Sequence, residues 1–293
     1  MTLIGELSAI ILPFFICAGI GILWARIGQP FDSDLVSTLV YKISVPCLII
    51  AIFAKVRLTP DAVAAVAGAA LVIYLATAAA AALILRLARL PIPSYLPSLM
   101  FPMVGSMGLP ICLFAFGEDG LALALVFFTL GAIGTFTIGA AIAAGRVSYA
   151  KLIGEPAIWA ALIAIGLLWF DWTLPTWIVD TTGLLGGMAI PLQLIALGSS
   201  LAQFRVTSLP RGVSLSLLRL ALGYGAGFGI AELFDLEGLV RAVVILQSAM
   251  PVAVSNYLFA AVYKREPAEI AGMVLISTGI TFVTLPLLLI YLL

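Results

Sequence analysis

Two otherwise apolar stretches carry helix-breaking and polar residues in their middles, and these residues have the most scope for chemistry. One reads Gln247-Ser248-Ala249-Met250-Pro251-Val252-Ala253-Val254-Ser255-Asn256, the other Val104-Gly105-Ser106-Met107-Gly108-Leu109-Pro110. Proline removes a backbone donor and stops a helix. Inside a bilayer such an interruption survives only where it is packed in protein or lines a cavity. It leaves N–H groups and a positive dipole end that favour an anion, and freed carbonyls that can coordinate Na⁺. The expected breaks are at Pro110 and Pro251, with Ser106, Gly108, Gln247, Ser248, Ser255 and Asn256 as ligand contacts and Na⁺ near Ser106, Gln247 and Ser248.

Two cations lie well inside apolar stretches, Lys42 and Arg219. At about 1.5 Å per residue each is roughly 10 to 12 Å from the nearer end. Each side chain either snorkels to the interface or reaches a water-filled cavity, where it would bind a carboxylate. Pro46, Pro191 and Gln193 occupy related places, Ser44-Val45-Pro46-Cys47 and Ile190-Pro191-Leu192-Gln193. The prolines read as packing kinks, or as one wall of a site to which Gln193 adds an amide. Gly223, Gly225, Gly227 and Gly229 do not join a strand to a helix, so they read as close helix packing and not as a phosphate loop.

The surroundings of these residues are set by composition. Hydrophobic residues make up 63% of the 293-residue chain and charged ones 10%, with mean hydropathy +1.24. That is too little polar surface for a soluble globule. Fourteen basic and fourteen acidic residues cancel, which leaves no basic face for nucleic acid. There is no histidine, and Cys17, Cys47 and Cys112 have no metal-ligand spacing, which argues against zinc, disulfides and histidine catalysis. No Asp or Glu lies in the interior of an apolar stretch, so an intramembrane enzyme and a dedicated proton relay are both disfavoured. Na⁺ coupling or uncoupled anion movement is favoured over H⁺.

Apolar stretches of about twenty residues, enough to cross roughly 30 Å of hydrocarbon, recur ten times, near 7–25, 35–54, 62–85, 95–116, 121–144, 156–170, 181–203, 213–231, 239–261 and 269–291. The first lacks the charged leader of a signal peptide and is expected to be retained. Arg26, Arg86, Arg89, Arg146, Lys151, Arg205, Arg211, Lys264 and Arg265 fall on one side, against Lys55, Arg57 and Arg241 on the other. The positive-inside rule then puts both termini on the non-cytoplasmic side. Gly21, Leu23, Trp24, Pro30 and Pro46 recur at one constant offset as Gly166, Leu168, Trp169, Pro175 and Pro191. The chain thus reads as two five-span repeats, 1–145 and 146–293, which an odd span number makes inverted.

These motifs are similar to those of the auxin efflux carrier family, related to the plant PIN-type carriers. The similar segments are Ile11-Leu12-Pro13 through Gly19-Ile20-Gly21 to Val45-Pro46-Cys47-Leu48-Ile49, Gly108-Leu109-Pro110, Ile190-Pro191-Leu192 with Leu197-Gly198-Ser199-Ser200-Leu201, Ala249-Met250-Pro251, and Ser277-Thr278 through Thr284-Leu285-Pro286. The resemblance implies an all-α polytopic fold of ten helices, with broken helices four and nine crossing at their prolines. It implies a scaffold of helices one, two, six and seven, often dimeric, and a transport domain of helices three to five and eight to ten. The long central loop of the PIN-type carriers is absent, since only 145–155 joins the halves.

Residues and resemblance together predict a secondary active transporter, not an enzyme. It would carry small organic anions such as malate or malonate by alternating access across a bacterial inner membrane, as a homodimer. The alternatives are the same fold carrying a bulky apolar anion, auxin-like or bile-acid-like, with Na⁺, and a transport-like sensor acting through a partner.

Overall fold

In the computed structural model the described residues are 3–56, 58–145, 156–170, 172–204 and 208–293. They are helical apart from short connections and one isolated antiparallel bridge between Pro102 and Val252. The sequence dictates this directly, because a hydrocarbon solvent offers the backbone no hydrogen bonds and a helix satisfies them all internally. The elements are α1 (Leu3–Arg26), α2 (Ser33–Leu39), α3 (Val45–Lys55), α4 (Pro60–Leu87), α5 (Ile92–Met100), α6 (Leu109–Gly134), α7 (Ala140–Ala144), α8 (Pro156–Phe170), α9 (Thr176–Gly186), α10 (Ala189–Gln203), α11 (Leu209–Leu233), α12 (Gly238–Ser248), α13 (Val254–Tyr263) and α14 (Pro267–Leu292). Single π-helical turns, Val40–Ser44, Val104–Gly108 and Thr135–Gly139, join or precede some of them.

Among the described residues, six helical segments are long and apolar enough to cross a membrane, and Ile10–Arg26, Pro156–Phe170 and Gly238–Ser248 are shorter apolar helices. The chain is a multi-pass membrane protein. One of the six, Val104–Ala144, has 41 residues, about 60 Å of helix and twice the hydrocarbon thickness. Gly117, at φ 69° and ψ −160°, divides it, and only glycine reaches that backbone region without strain. The division falls where the sequence places the connection between its fourth and fifth stretches. Of the loop charges used for orientation, Arg57, Arg146, Lys151 and Arg205 lie outside the described residues.

The chain forms two compact units, each made of separated segments. The first comprises 1–66, 105–129 and 153–203; the second comprises 67–104, 130–152 and 204–293. The segment 105–129 therefore groups with helices expected for a scaffold, although its sequence position is in the fourth and fifth stretches.

In the first unit α1 packs on α10, and α3 on α8 and α9. A Cβ on Gly21 would sit 2.0 Å from the Ile195 carbonyl oxygen, and one on Gly198 would sit 1.9 Å from that of Ala18. The α1–α10 contact is thus backbone against backbone, the small-residue packing expected where lipid supplies no hydrophobic drive between helices.

In the second unit α11 packs on α5, α12 and α14, and α13 packs on α14. Glu269 of α14 ties this unit together at one end: it accepts from Arg211 of α11 at 2.7 Å and from the Tyr95 hydroxyl of α5.

Candidate functional site

The fourth stretch does break, but at Phe101–Met103 and not at Pro110. α5 ends at Met100 and its C-cap Phe101 is extended, at φ −105° and ψ 109°. Pro110 follows the π-turn Val104–Gly108 as the second residue of α6, just as Pro46 follows the π-turn Val40–Ser44 as the second residue of α3. A proline clashes with the carbonyl four residues back and has no N–H to give it. A π-turn there shifts the hydrogen-bond pattern by one residue and absorbs the misfit without ending the helix. Pro110 and Pro46 are therefore accommodated kinks.

The ninth stretch breaks where expected. α12 ends at Ser248, Ala253 is extended at φ −72° and ψ 141°, and α13 starts at Val254. The two breaks pair in antiparallel fashion within the second unit. Met103 N–H donates to the Pro251 carbonyl at 2.8 Å, and Pro102 bridges Val252. Asn256 adds a second link, its Nδ2 donating to the Phe101 carbonyl at 3.2 Å. Ser277 of α14 accepts from Val252 N–H at 3.1 Å. Pro102 is thus the partner of Pro251. Its signal stood in the sequence: Pro102, Ser106 and Leu109 recur at identical spacing as Pro251, Ser255 and Leu258. Phe101 and Met103 act through backbone groups, which side-chain patterns do not show, and Ser277, part of the C-terminal family-like segment, acts through its hydroxyl.

Arg219 sits at the carbonyl side of this pair. It is 1% exposed, the largest fully buried side chain among the described residues, so it does not snorkel. Its Nη1 donates to the Leu99 carbonyl at 3.2 Å, and its Nη2 to Ser248 at 2.9 Å and Met250 at 3.4 Å. It forms no ion pair among the described residues. These carbonyls belong to the C-terminal ends of α5 and α12 and to the break itself, groups with no helical partner of their own. Reach comes from the residues that follow at helical spacing. A Cβ on Gly223 would lie 2.2 Å from the Ser248 carbonyl oxygen, and one on Gly227 would lie 2.0 Å from Ser248 Oγ. Gly225 and Gly229 have nothing within 4 Å. One face of α11 is therefore stripped of side chains so that the end of α12 can settle beside Arg219.

The amide side differs. The α13 N-terminus has no side-chain cap and no acidic residue in its first turn. Asn256, in that turn, is 3% exposed and its Oδ1 has no partner; nor has Thr278 Oγ1, on α14 at 1% exposure. Gln247, Ser248 and Pro251 are buried here and Ser255 is half-buried.

The remaining expected site residues belong to the first unit. Gln193 is 6% exposed with neither amide atom hydrogen-bonded, and a Cβ on Gly105 would lie 3.2 Å from its Oε1. Buried Ser44 Oγ is also without a partner. Lys42 is exposed on its π-turn, Pro46, Gly108 and Pro110 are buried, Ser106 is half-buried, and Pro191 is exposed in the first turn of α10. The structure thus gathers Arg219, Ser248, Pro251 and Asn256 around one paired break, and it places Lys42, Pro46, Ser106, Gly108, Pro110, Pro191 and Gln193 in the other unit.

Among the described residues no cluster of His, Cys, Asp or Glu could hold a metal ion. A broken, paired helix with a buried cation inside a multi-pass bundle is the architecture of a membrane transporter. The family model described as "Membrane transport protein" matches residues 142–289. The chain belongs to this family, in keeping with its resemblance to the auxin efflux carriers, and the description is of a transporter. It is similar to an uncharacterized transporter of Methanocaldococcus jannaschii, 28% identical over 195 residues, covering 62% of this chain and 63% of the relative. It is also similar to one of Methanothermobacter thermautotrophicus, 30% identical over 191 residues and 62% of each. The matches thus span under two thirds of these relatives' lengths.

Proposed function

We propose that the chain is a secondary carrier of small organic anions, carboxylates of the malate or malonate kind, working by alternating access. Its ten spans would form two inverted five-span repeats in the cytoplasmic membrane. One observation carries the reading: the paired break has a cation built into its carbonyl side and neither a side-chain cap nor an acid at the α13 amide end. Arg219 covers the carbonyl ends of α5 and α12, while the α13 N-terminus has neither a cap nor an acid. A carboxylate at that end would meet backbone N–H groups and the positive end of the helix dipole. The buried, unpartnered Oδ1 of Asn256 would accept from a ligand hydroxyl, as on a hydroxy acid.

The test is uptake of labelled malonate and malate into proteoliposomes, with Na⁺, choline and pH gradients applied separately. Saturable uptake of small carboxylates is expected, and Asn256→Asp should lower it at least about tenfold. A like charge about 4 Å from a bound carboxylate costs on the order of several kcal/mol at an effective dielectric near 20. Uptake confined to bulky aromatic or steroidal acids and dependent on Na⁺ would replace this reading with its alternative. Failure to move any carboxylate, or an Asn256→Asp variant as fast as wild type, would remove it.

A further inference from the structure

Arg219 raises a question that transport alone does not answer. A guanidinium stays protonated under any physiological condition. Burying it without a counter-ion is costly unless fixed dipoles replace the lost water. The C-terminal end of a helix carries about half a negative elementary charge. Two such ends, those of α5 and α12, converge on this one side chain through Leu99 and Ser248, with Met250 of the break adding a third carbonyl. Two half charges balance one whole charge, so the site is close to neutral without any carboxylate. No exposure remains through which water could share the load, since Arg219 is 1% exposed. The glycine face at Gly223 and Gly227 brings the α12 end onto it.

We propose that Arg219 is the resident counter-cation of the helix break, a positioning residue whose charge, and not only its shape or hydrogen bonds, holds the ends of α5 and α12 together. It stands where a broken helix would otherwise recruit a bound cation. By cancelling the negative ends it leaves the α13 amide end as the dominant local charge, and that consequence rests on the anion-carrier reading above. Arg219 itself need touch no substrate.

The test removes the side chain and returns its head group. Arg219→Ala leaves a guanidinium-sized gap lined by three carbonyls. Thermal melting of the purified protein in detergent is then measured with free guanidinium, and separately with urea, each well below denaturing concentration. Urea matches guanidinium in planarity and size and also donates hydrogen bonds, but it has no charge. The variant should melt roughly 5 °C or more below wild type; guanidinium should recover much of that loss and urea none, while wild type responds to neither. A second pair covers the case in which the Ala variant cannot be purified: Arg219→Lys should melt above Arg219→Gln. Recovery by urea as full as by guanidinium, no recovery by either, or a Gln variant as stable as the Lys variant would each overturn the proposal. Melting needs no substrate. If wild-type proteoliposomes carry no carboxylate, the transport reading falls while Arg219 is still judged on this measurement.

Discussion

Pro110 and Pro251 look alike in the sequence, each in an apolar stretch beside small and polar residues, yet the protein uses them in opposite ways. Pro110 follows one π-turn and the helix continues. Pro251 lies in an extended segment that pairs with Pro102–Met103, beneath a buried arginine. A proline by itself creates a local misfit that a π-turn absorbs. A true break needs partners for its freed backbone groups, and here Met103, Arg219 of α11 and Ser277 of α14 partner Pro251, Ser248 and Val252. The same contrast runs through the unsatisfied polar groups. In the second unit Arg219, Asn256 and Ser277 each bond the break through at least one polar atom, whereas Gln193 and Ser44 of the first unit are buried with nothing to bond.

The largest effect that would sharpen this contrast comes from neutralising the break while clearing an orphan. Arg219→Met strips donors from three carbonyls and should cost about 3 kcal/mol or more, at about 1 kcal/mol or more for each group left bare. Gln193→Leu removes an amide with no partner and should leave melting unchanged or raised. If the two variants melted alike, the difference between the regions would be one of appearance only.

Next come the glycines of α11. Gly223→Ala forces a methyl onto the Ser248 carbonyl and should lower stability by about 1 to 3 kcal/mol. Gly225→Ala has open space and should be neutral or stabilising by up to about 1 kcal/mol. Reversal of that order in melting would show that α11 does not pack as described.

A smaller loss, about 1 kcal/mol, is expected for Ser277→Ala, which takes the acceptor from Val252 N–H. Ser44→Ala removes a hydroxyl without a partner and should cost nothing measurable.

A change no larger than that of Ser277→Ala is expected at Pro110. Pro110→Ala should move stability by no more than about 1 kcal/mol and leave carboxylate uptake near wild type. A collapse of uptake there would mean that the kink, too, belongs to the working site.

Much of this was legible from residue order. Runs of about twenty apolar residues leave a helix as the only economical backbone, so the helical bundle follows from composition and length. The glycines of α11 pointed to close packing, which Gly223 and Gly227 provide while Gly225 and Gly229 face open space. Pro251 and Asn256 stood out as polar chemistry in an apolar run.

Other features were out of reach because they depend on which groups meet in space. Depth counted along a helix gives no direction around it, so Arg219 could be read as snorkelling or as cavity-lining; it does neither, and turns to backbone carbonyls instead. Those carbonyls are the same atoms in every residue, invisible in side-chain patterns. Pro110, with Gly105 and Gly108 before it, signals a break more strongly in residue order than Pro102, which carries only the spacing it shares with Pro251. The sequence determined that the chain must fold as membrane helices and which stretches could not remain regular. Tertiary structure decided which irregularity became a break, because only packed neighbours, Met103 of the facing segment, Arg219 of α11 and Ser277 of α14, supply the charge and hydrogen bonds that an open backbone requires.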